Sequence, residues 1–181
     1  LAEIVDAGLV TSEDTVLEIG PGLGSLTRHL AARASRVVAV ELDRKMIPVL
    51  SETLKSFPNV EVIQGDVLGV DLSGALGETS YRVVANIPYY ITSAVIRHLL
   101  ELTARPRSIA LTIQKEVAER VCAKPGDLSL LALSVRIYGE PSYVMTIGKD
   151  AFYPEPKVDS AVVRMDLFDE PLVAGDRQDA F

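Results

Sequence analysis

Three glycines in five residues, Gly20, Gly22 and Gly24 of "VLEIGPGLGSLT", stand between an apolar run and a helix-like run. Glycine lets a backbone turn tightly and come close to a ligand, and the helix that follows aims its free N–H groups at that ligand. The chemistry implied is the holding of a nucleotide. The dinucleotide fingerprint G-x-G-x-x-G is not met, because Ser25 occupies the third place and Pro21 stiffens the turn. No Lys follows the glycines as in a P-loop, so phosphoryl transfer is disfavoured. Glu41, 21 residues beyond Gly20, closes the next apolar run in "VVAVELD", where a carboxylate can accept both hydroxyls of a ribose. Asp66 closes a third run in "VIQGDV" and, being an acceptor only, suits the exocyclic amine of an adenine. Glu18 keeps two readings: it holds the backbone of the glycine loop, or it faces the cationic end of the ligand. An adenosine-bearing ligand without phosphates fits this set. S-adenosylmethionine is therefore expected, with Glu18, Gly20, Gly22, Glu41 and Asp66 around it.

The stretch "RVVANIPYYIT" runs apolar to Ala85 and then breaks into Asn86, Ile87, Pro88, Tyr89 and Tyr90. The exocyclic nitrogen of adenine is a poor nucleophile because its lone pair is delocalised into the ring, so a catalyst must localise that pair. Two acceptors suffice. The Asn86 side-chain oxygen and the Ile87 carbonyl, exposed where Pro88 redirects the chain, can each take one amine hydrogen and draw the nitrogen toward tetrahedral geometry. Tyr89 offers a face for the base, stacking of this kind contributing about 1–3 kcal/mol per base. Tyr90 is expected to pack, Thr92 to cap the next helix and Asp43 to cap the helix after Glu41.

These residues need elements that bring them together. β-Branched runs alternate with helical patterns from "TVLEIG" to "KEVAERVCA", and "RVVAVEL" and "YRVVANI" are apolar on both faces, as strands covered by helices on each side are. In such a sheet, groups at the carboxyl ends of successive strands converge on one ligand edge. Later, "RIYGEPSYVMTIG" and "AVVRMDLF" are strand-like with no helix between them, which predicts antiparallel strands closing one edge. The fold class expected is α/β, a Rossmann-like methyltransferase fold with a mostly parallel sheet and helices on both faces. Residues 1–168 form the catalytic domain, and the polar, acidic tail 169–181 reads as a linker leading onward.

The chain has 181 residues, 48% of them apolar, enough for one domain with a substantial core. No run approaches the roughly 18 apolar residues of a membrane span, so no membrane role is expected. Cys122 is the only cysteine, and His29 and His98 lack a second ligand at metal spacing, so no metal site is expected. The net charge of −7 hides an asymmetry: residues 1–80 hold six basic and twelve acidic side chains, residues 81–165 eleven and eight. Arg97, Arg105, Arg107, Lys115, Arg120 and Lys124 concentrate in that second stretch, where they form either an ordinary solvated face or, with Lys149, Lys157 and Arg164, a contact for nucleic-acid phosphate.

Together, "EIGPGLGSLT", "ELD", "QGDV", "NIPYYIT", "IQKEVAERV" and "AFYPEPKVDSAVVRM" resemble the KsgA-type ribosomal RNA adenine dimethyltransferases along nearly the whole chain. The resemblance implies S-adenosylmethionine as methyl donor and dimethylation of the exocyclic N6 of two adjacent adenines in a stem-loop of small-subunit (16S) rRNA. It implies cofactor contacts at Gly20, Glu41, Asp66 and Asn86, base handling by Asn86–Tyr89, and a second stacking ring at Phe152, for which core packing is the alternative. It also implies a cytoplasmic monomer acting on the immature small ribosomal subunit. A G-Q-N-F-L-like segment is expected before Leu1 and a helical domain after "RMDLF". Leu130 and Leu131 replace a Tyr-Gly pair usual in the family, so local differences are expected in that loop. Two alternatives share the stretch: a large-subunit (23S) rRNA methyltransferase of the macrolide-resistance type, and a non-catalytic ribosome-assembly scaffold.

Overall fold

The computed structural model describes residues 1–77, 80–124 and 126–173. In chain order the elements are α1 (Ala2–Ala7), β1 (Thr15–Ile19), α2 (Ser25–Ala31), β2 (Arg36–Glu41), α3 (Ile47–Thr53), β3 (Val60–Gln64), α4 (Leu72–Leu76), β4 (Tyr81–Asn86), α5 (Thr92–Glu101), β5 (Ser108–Gln114), α6 (Lys115–Val121), α7 (Leu130–Tyr138), β6 (Gly139–Ile147) and β7 (Ser160–Leu167). The strands form one sheet in the order β3-β2-β1-β4-β5-β7-β6. The first five pair in parallel, whereas β7 runs antiparallel to β5 and β6 antiparallel to β7. The two strand-like runs without a helix between them thus close one edge.

β-Branched side chains fit a pleated surface packed on both sides, and every residue of β1 is buried. One face, with Leu17, Val38, Val83 and Leu111, packs under α4, α5, α6 and α7; the other, with Val16, Val37, Val84 and Ala110, packs under α1 and α2. Strand side chains alternate between faces, so the residue beyond the last apolar one on the α1–α2 face is fixed in each strand. Those residues are Glu41, Glu18, Asn86 and Thr112 in β2, β1, β4 and β5, and Ser160 in β7, whose antiparallel run starts at the same edge. The sheet therefore ends in a polar row five strands wide.

Two local expectations are corrected. "DLSLLALSV" is no loop: Ser129 caps the start of α7 by accepting from the Ala132 N–H at 3.2 Å, and the helix runs on through Arg136–Tyr138, read earlier as strand. Its apolar residues recur at helical spacing, so the cap was the signal to weigh. The short α4, capped by Asp71 on the Gly74 N–H, was not foreseen. Past β7, the Leu172 N–H donates to Ile137 O at 2.8 Å; of the linker expected at 169–181, residues 174–181 lie outside the described residues.

Candidate active site

The glycine loop leaves β1 at Gly20, whose N–H donates to Val40 O at 2.9 Å, and Gly24 closes it by donating to Pro21 O. All three glycines take left-handed φ values, +67°, +56° and +81°. Their reasons differ. A Cβ on Gly20 or Gly22 would meet nothing within 4 Å, so there the backbone borders open space, whereas one on Gly24 would press against Leu50, Thr53 and Leu54 at 3.3 Å. Gly24 serves packing against α3, and the first two leave room for a ligand.

Glu41 ends β2 with 7% of its surface exposed. One carboxylate oxygen accepts from the Gly22 N–H at 3.1 Å and the other from the Asp43 N–H at 2.8 Å, tying the loop after β1 to the loop after β2. Glu18 lies beneath this junction, and burial pushes its carboxyl up to about 8, opposed by Thr27 and reinforced by the charge of Glu41. Thr27 is a polar neighbour without ordinary hydrogen-bond geometry: Glu18 Oε2 and Thr27 Oγ1 are both buried with no partner among the described residues. Asp66 is exposed after β3. Its Oδ1 accepts from Leu68 N–H at 3.0 Å, and its other oxygen makes no bond among the described residues.

Asn86 stands at the end of β4, opposite Thr112 of β5, and its exposed side chain makes no hydrogen bond among the described residues. Ile87, the next residue, is buried as a whole at 2% exposure, and its carbonyl accepts no hydrogen bond among the described residues. Pro88, at φ −58° and ψ 136°, turns the chain into a 3-10 turn over Tyr89–Ile91. Tyr89 is half-buried, and its hydroxyl meets Ser160 Oγ at 2.7 Å. The β6–β7 loop is fixed at the same edge, where Lys149 N–H donates to Asp159 Oδ1 at 3.1 Å and Lys115 N–H to Asp159 O at 3.0 Å. It carries Phe152, half-buried. The structure thus brings Glu18, Gly20, Gly22, Glu41, Asp66, Asn86 and Tyr89 to one edge of the sheet, with the Phe152 loop beside them.

Three expectations fail locally. Tyr90 does not pack but is 85% exposed. Thr92 is not a cap, because the 3-10 turn runs straight into α5 and Thr92 already has helical angles, φ −49° and ψ −53°. Asp43 caps the turn before α3, through the Lys45 N–H, rather than α3 itself. The basic residues of the second stretch are spread along β5: Arg105 and Arg107 precede it and Lys115 follows it, separated by a strand roughly 20 Å long. Arg105 turns inward over the Tyr138 ring, 5.7 Å from its centre. Sequence reasoning also missed Thr112 and Ser160, which only strand register places in the polar row.

A cavity of about 730 Å³ lies at the opposite end of the sheet, against Tyr81, Arg82, Arg105 and Phe168, and holds none of these groups. Among the described residues no cluster of His, Cys, Asp and Glu could hold a metal ion, and no helix is long and apolar enough to cross a membrane.

An open glycine turn, acidic groups at successive strand ends and a parallel sheet closed by an antiparallel pair define a class I methyltransferase fold. Two solved structures share it closely. The chain is 33% identical to the crystal structure of the 23S rRNA methyltransferase ErmE, with a TM-score of 0.84 over 99% of this chain and 71% of that one. It is 31% identical to a dimethyladenosine transferase from Plasmodium falciparum, with a TM-score of 0.80 over 92% of this chain and 60% of that one. The chain belongs to the ribosomal RNA adenine dimethylase family, whose family model matches residues 1–180. Ribosomal RNA small subunit methyltransferase A of Dehalococcoides mccartyi (strain CBDB1) is 47% identical over 176 residues, 97% of this chain and 60% of that protein. The chain spans less than two thirds of the length of such relatives.

Proposed function

We propose that this chain is the catalytic domain of an S-adenosylmethionine-dependent dimethyltransferase acting on N6 of two adjacent adenines in a stem-loop of small-subunit (16S) rRNA. The observation that carries the reading is a pair of acceptors at the end of β4 that no group among the described residues claims, the Asn86 amide oxygen and the Ile87 carbonyl, set at the same sheet edge as the open glycine turn.

The residues present fit the cofactor. Gly20 and Gly22 leave backbone and open space for a nucleoside, Glu41 offers a carboxylate for the ribose and Asp66 a free oxygen for the adenine amine. Glu18, buried and short of a partner, suits the cationic end. When bound, S-adenosylmethionine supplies a methyl group carried on a sulfonium sulfur, which departs as a neutral thioether. The chain's own part is to hold and aim. Asn86 Oδ1 and Ile87 O take the two amine hydrogens, so the nitrogen lone pair is turned out of conjugation toward the methyl. Tyr89, fixed through Ser160, gives the base a face, and Phe152 supplies the second ring. Once nitrogen carries the new bond it is cationic and its acidic proton passes to solvent water without a general base; proximity supplies much of the remaining acceleration.

Looped adenines are reachable because unstacking them breaks no long duplex. The small-subunit choice over the 23S type rests on the 47% identity to a protein named small subunit methyltransferase, against 33% to ErmE. The intact Asn86–Tyr89 arrangement favours catalysis over a scaffold role. On this reading the protein acts in the cytoplasm, as a monomer, on the immature small subunit.

The test is to incubate the full-length protein with labelled cofactor and unmodified small or large subunits and to map the modified base. Two adjacent N6,N6-dimethyladenines in the small subunit are expected. Label in the large subunit alone, or in neither, overturns the assignment.

A further inference from the structure

The edge that carries Asn86 has two aromatic walls built alike. In the 3-10 turn half-buried Tyr89 is followed by Tyr90, 85% exposed, and in the β6–β7 loop half-buried Phe152 is followed by Tyr153, fully exposed at 102%. Neither outer hydroxyl has a partner among the described residues. A tyrosine ring normally covers a large apolar area when a protein folds, so two left bare beside one site are surfaces waiting for a flat partner. They are not loosely hung. Tyr90 sits between Pro88 and the start of α5, and Pro154 and Pro156 stiffen the loop that Asp159 pins beside β5. Lys157, exposed in that loop and in no ion pair among the described residues, adds a phosphate-seeking charge.

We propose that Tyr90 and Tyr153 form an outer stacking rim that grips the nucleotides flanking the target adenine, one on each side, while the inner rings serve the base being methylated. This rests on the reading above and adds to it a site for neighbouring single-stranded RNA. The rim holds the loop open: with the flanking bases stacked on protein, the target cannot return to its own stack. It recognises an unpaired run rather than a base identity, because every base has a stacking face.

The test uses the full-length protein and a labelled RNA hairpin whose loop contains two adjacent unmodified adenines. Tyr90→Ala and Tyr153→Ala should each weaken hairpin binding about 5- to 150-fold, with cofactor affinity and melting temperature unchanged. Tyr→Phe at either position should keep wild-type binding, since the ring face and not the hydroxyl acts. A second hairpin with a single target adenine between two abasic sites should bind wild type and the double Ala variant equally. The rim is overturned if the Ala variants match wild type on the intact hairpin, or if their loss persists undiminished on the abasic one. A loss seen only with assembled subunits also overturns it and assigns the tyrosines to a protein partner. Methyl transfer by wild type separates the cases: if it fails the reading falls with the rim, and if it proceeds while the variants bind normally the rim alone falls.

Discussion

Glu18→Gln tests the most costly feature of the site. The carboxyl, ordinarily near 4.5, is pushed up to about 8 by burial, with Thr27 opposing and Glu41 reinforcing. Between these values the unfolded chain releases the proton and the folded chain keeps it, so folding takes up a proton and stability falls as pH rises. Below pH 4.5 both states hold the proton and the effect vanishes; above 8 both have lost it and the penalty is complete. A shift of this size corresponds to about 5 kcal/mol, at roughly 1.4 kcal/mol for each pH unit crossed, with structural relaxation trimming the total. Gln keeps the shape of the neutral acid and removes the proton. Urea unfolding at pH 5, 6, 7 and 8 should therefore show the variant gaining on wild type by about 3–4 kcal/mol across that range, while its cofactor affinity drops at every pH. Parallel stability curves, within about 0.5 kcal/mol across the range, would refute the claim that Glu18 folds in neutral form.

In the full-length enzyme Asn86→Ala should lower turnover by about 10²–10³, the range for losing one positioned transition-state hydrogen bond; single-turnover methylation at saturating cofactor reads it. Glu41→Ala should weaken cofactor binding by about 1.5–3 kcal/mol by calorimetry. It should also loosen the loops at Gly22 and Asp43, whose N–H groups it now receives, visible as faster amide exchange there. Gly20→Ala should cost about 1–2 kcal/mol of stability, because its φ of +67° strains any residue with a Cβ although nothing lies nearby to clash. Its cofactor affinity should fall further than its stability, since the new methyl enters the open space.

What the sequence showed and what it hid follow from the range of the forces involved. Strands buried on both faces were legible in runs such as "RVVAVEL", because no polar residue interrupts them. The order of Gly20, Glu41, Asp66 and Asn86 along the chain was enough to place them at one edge, because parallel strands joined by helices all present the same end to the ligand. Thr112 and Ser160 were not legible, since their place in the polar row depends on the β4–β5 and β5–β7 registers, which pair Asn86 with Thr112, 26 positions apart, and Gln114 with Ser160, 46 apart. Tyr90 was misread for a related reason: whether a ring packs is decided by what the folded chain brings over it. The placing of the basic stretch was hidden for the same reason, cations close in sequence being carried to opposite ends of β5.

Two carboxylates on the same short segment sharpen the case for the site. Asp14, just before β1, is also buried, and burial alone would raise it, yet the Thr11 N–H and hydroxyl at 2.8 and 2.9 Å and the Arg82 guanidinium at 3.0 Å hold it below the usual range. Four residues on, at the other end of the same strand, Glu18 meets no cation among the described residues and has only Thr27 to oppose its burial, its Oε2 being left without a hydrogen-bond partner there. The fold thus has the means to satisfy a buried acid and applies them at one end only. An unmatched carboxyl costs stability that a Gln or Leu at position 18 would not, and such a cost persists where a ligand rather than the chain completes the match. On the proposed reading, the partner that Asp14 finds in Arg82 is one that Glu18 would find in the cationic end of the cofactor.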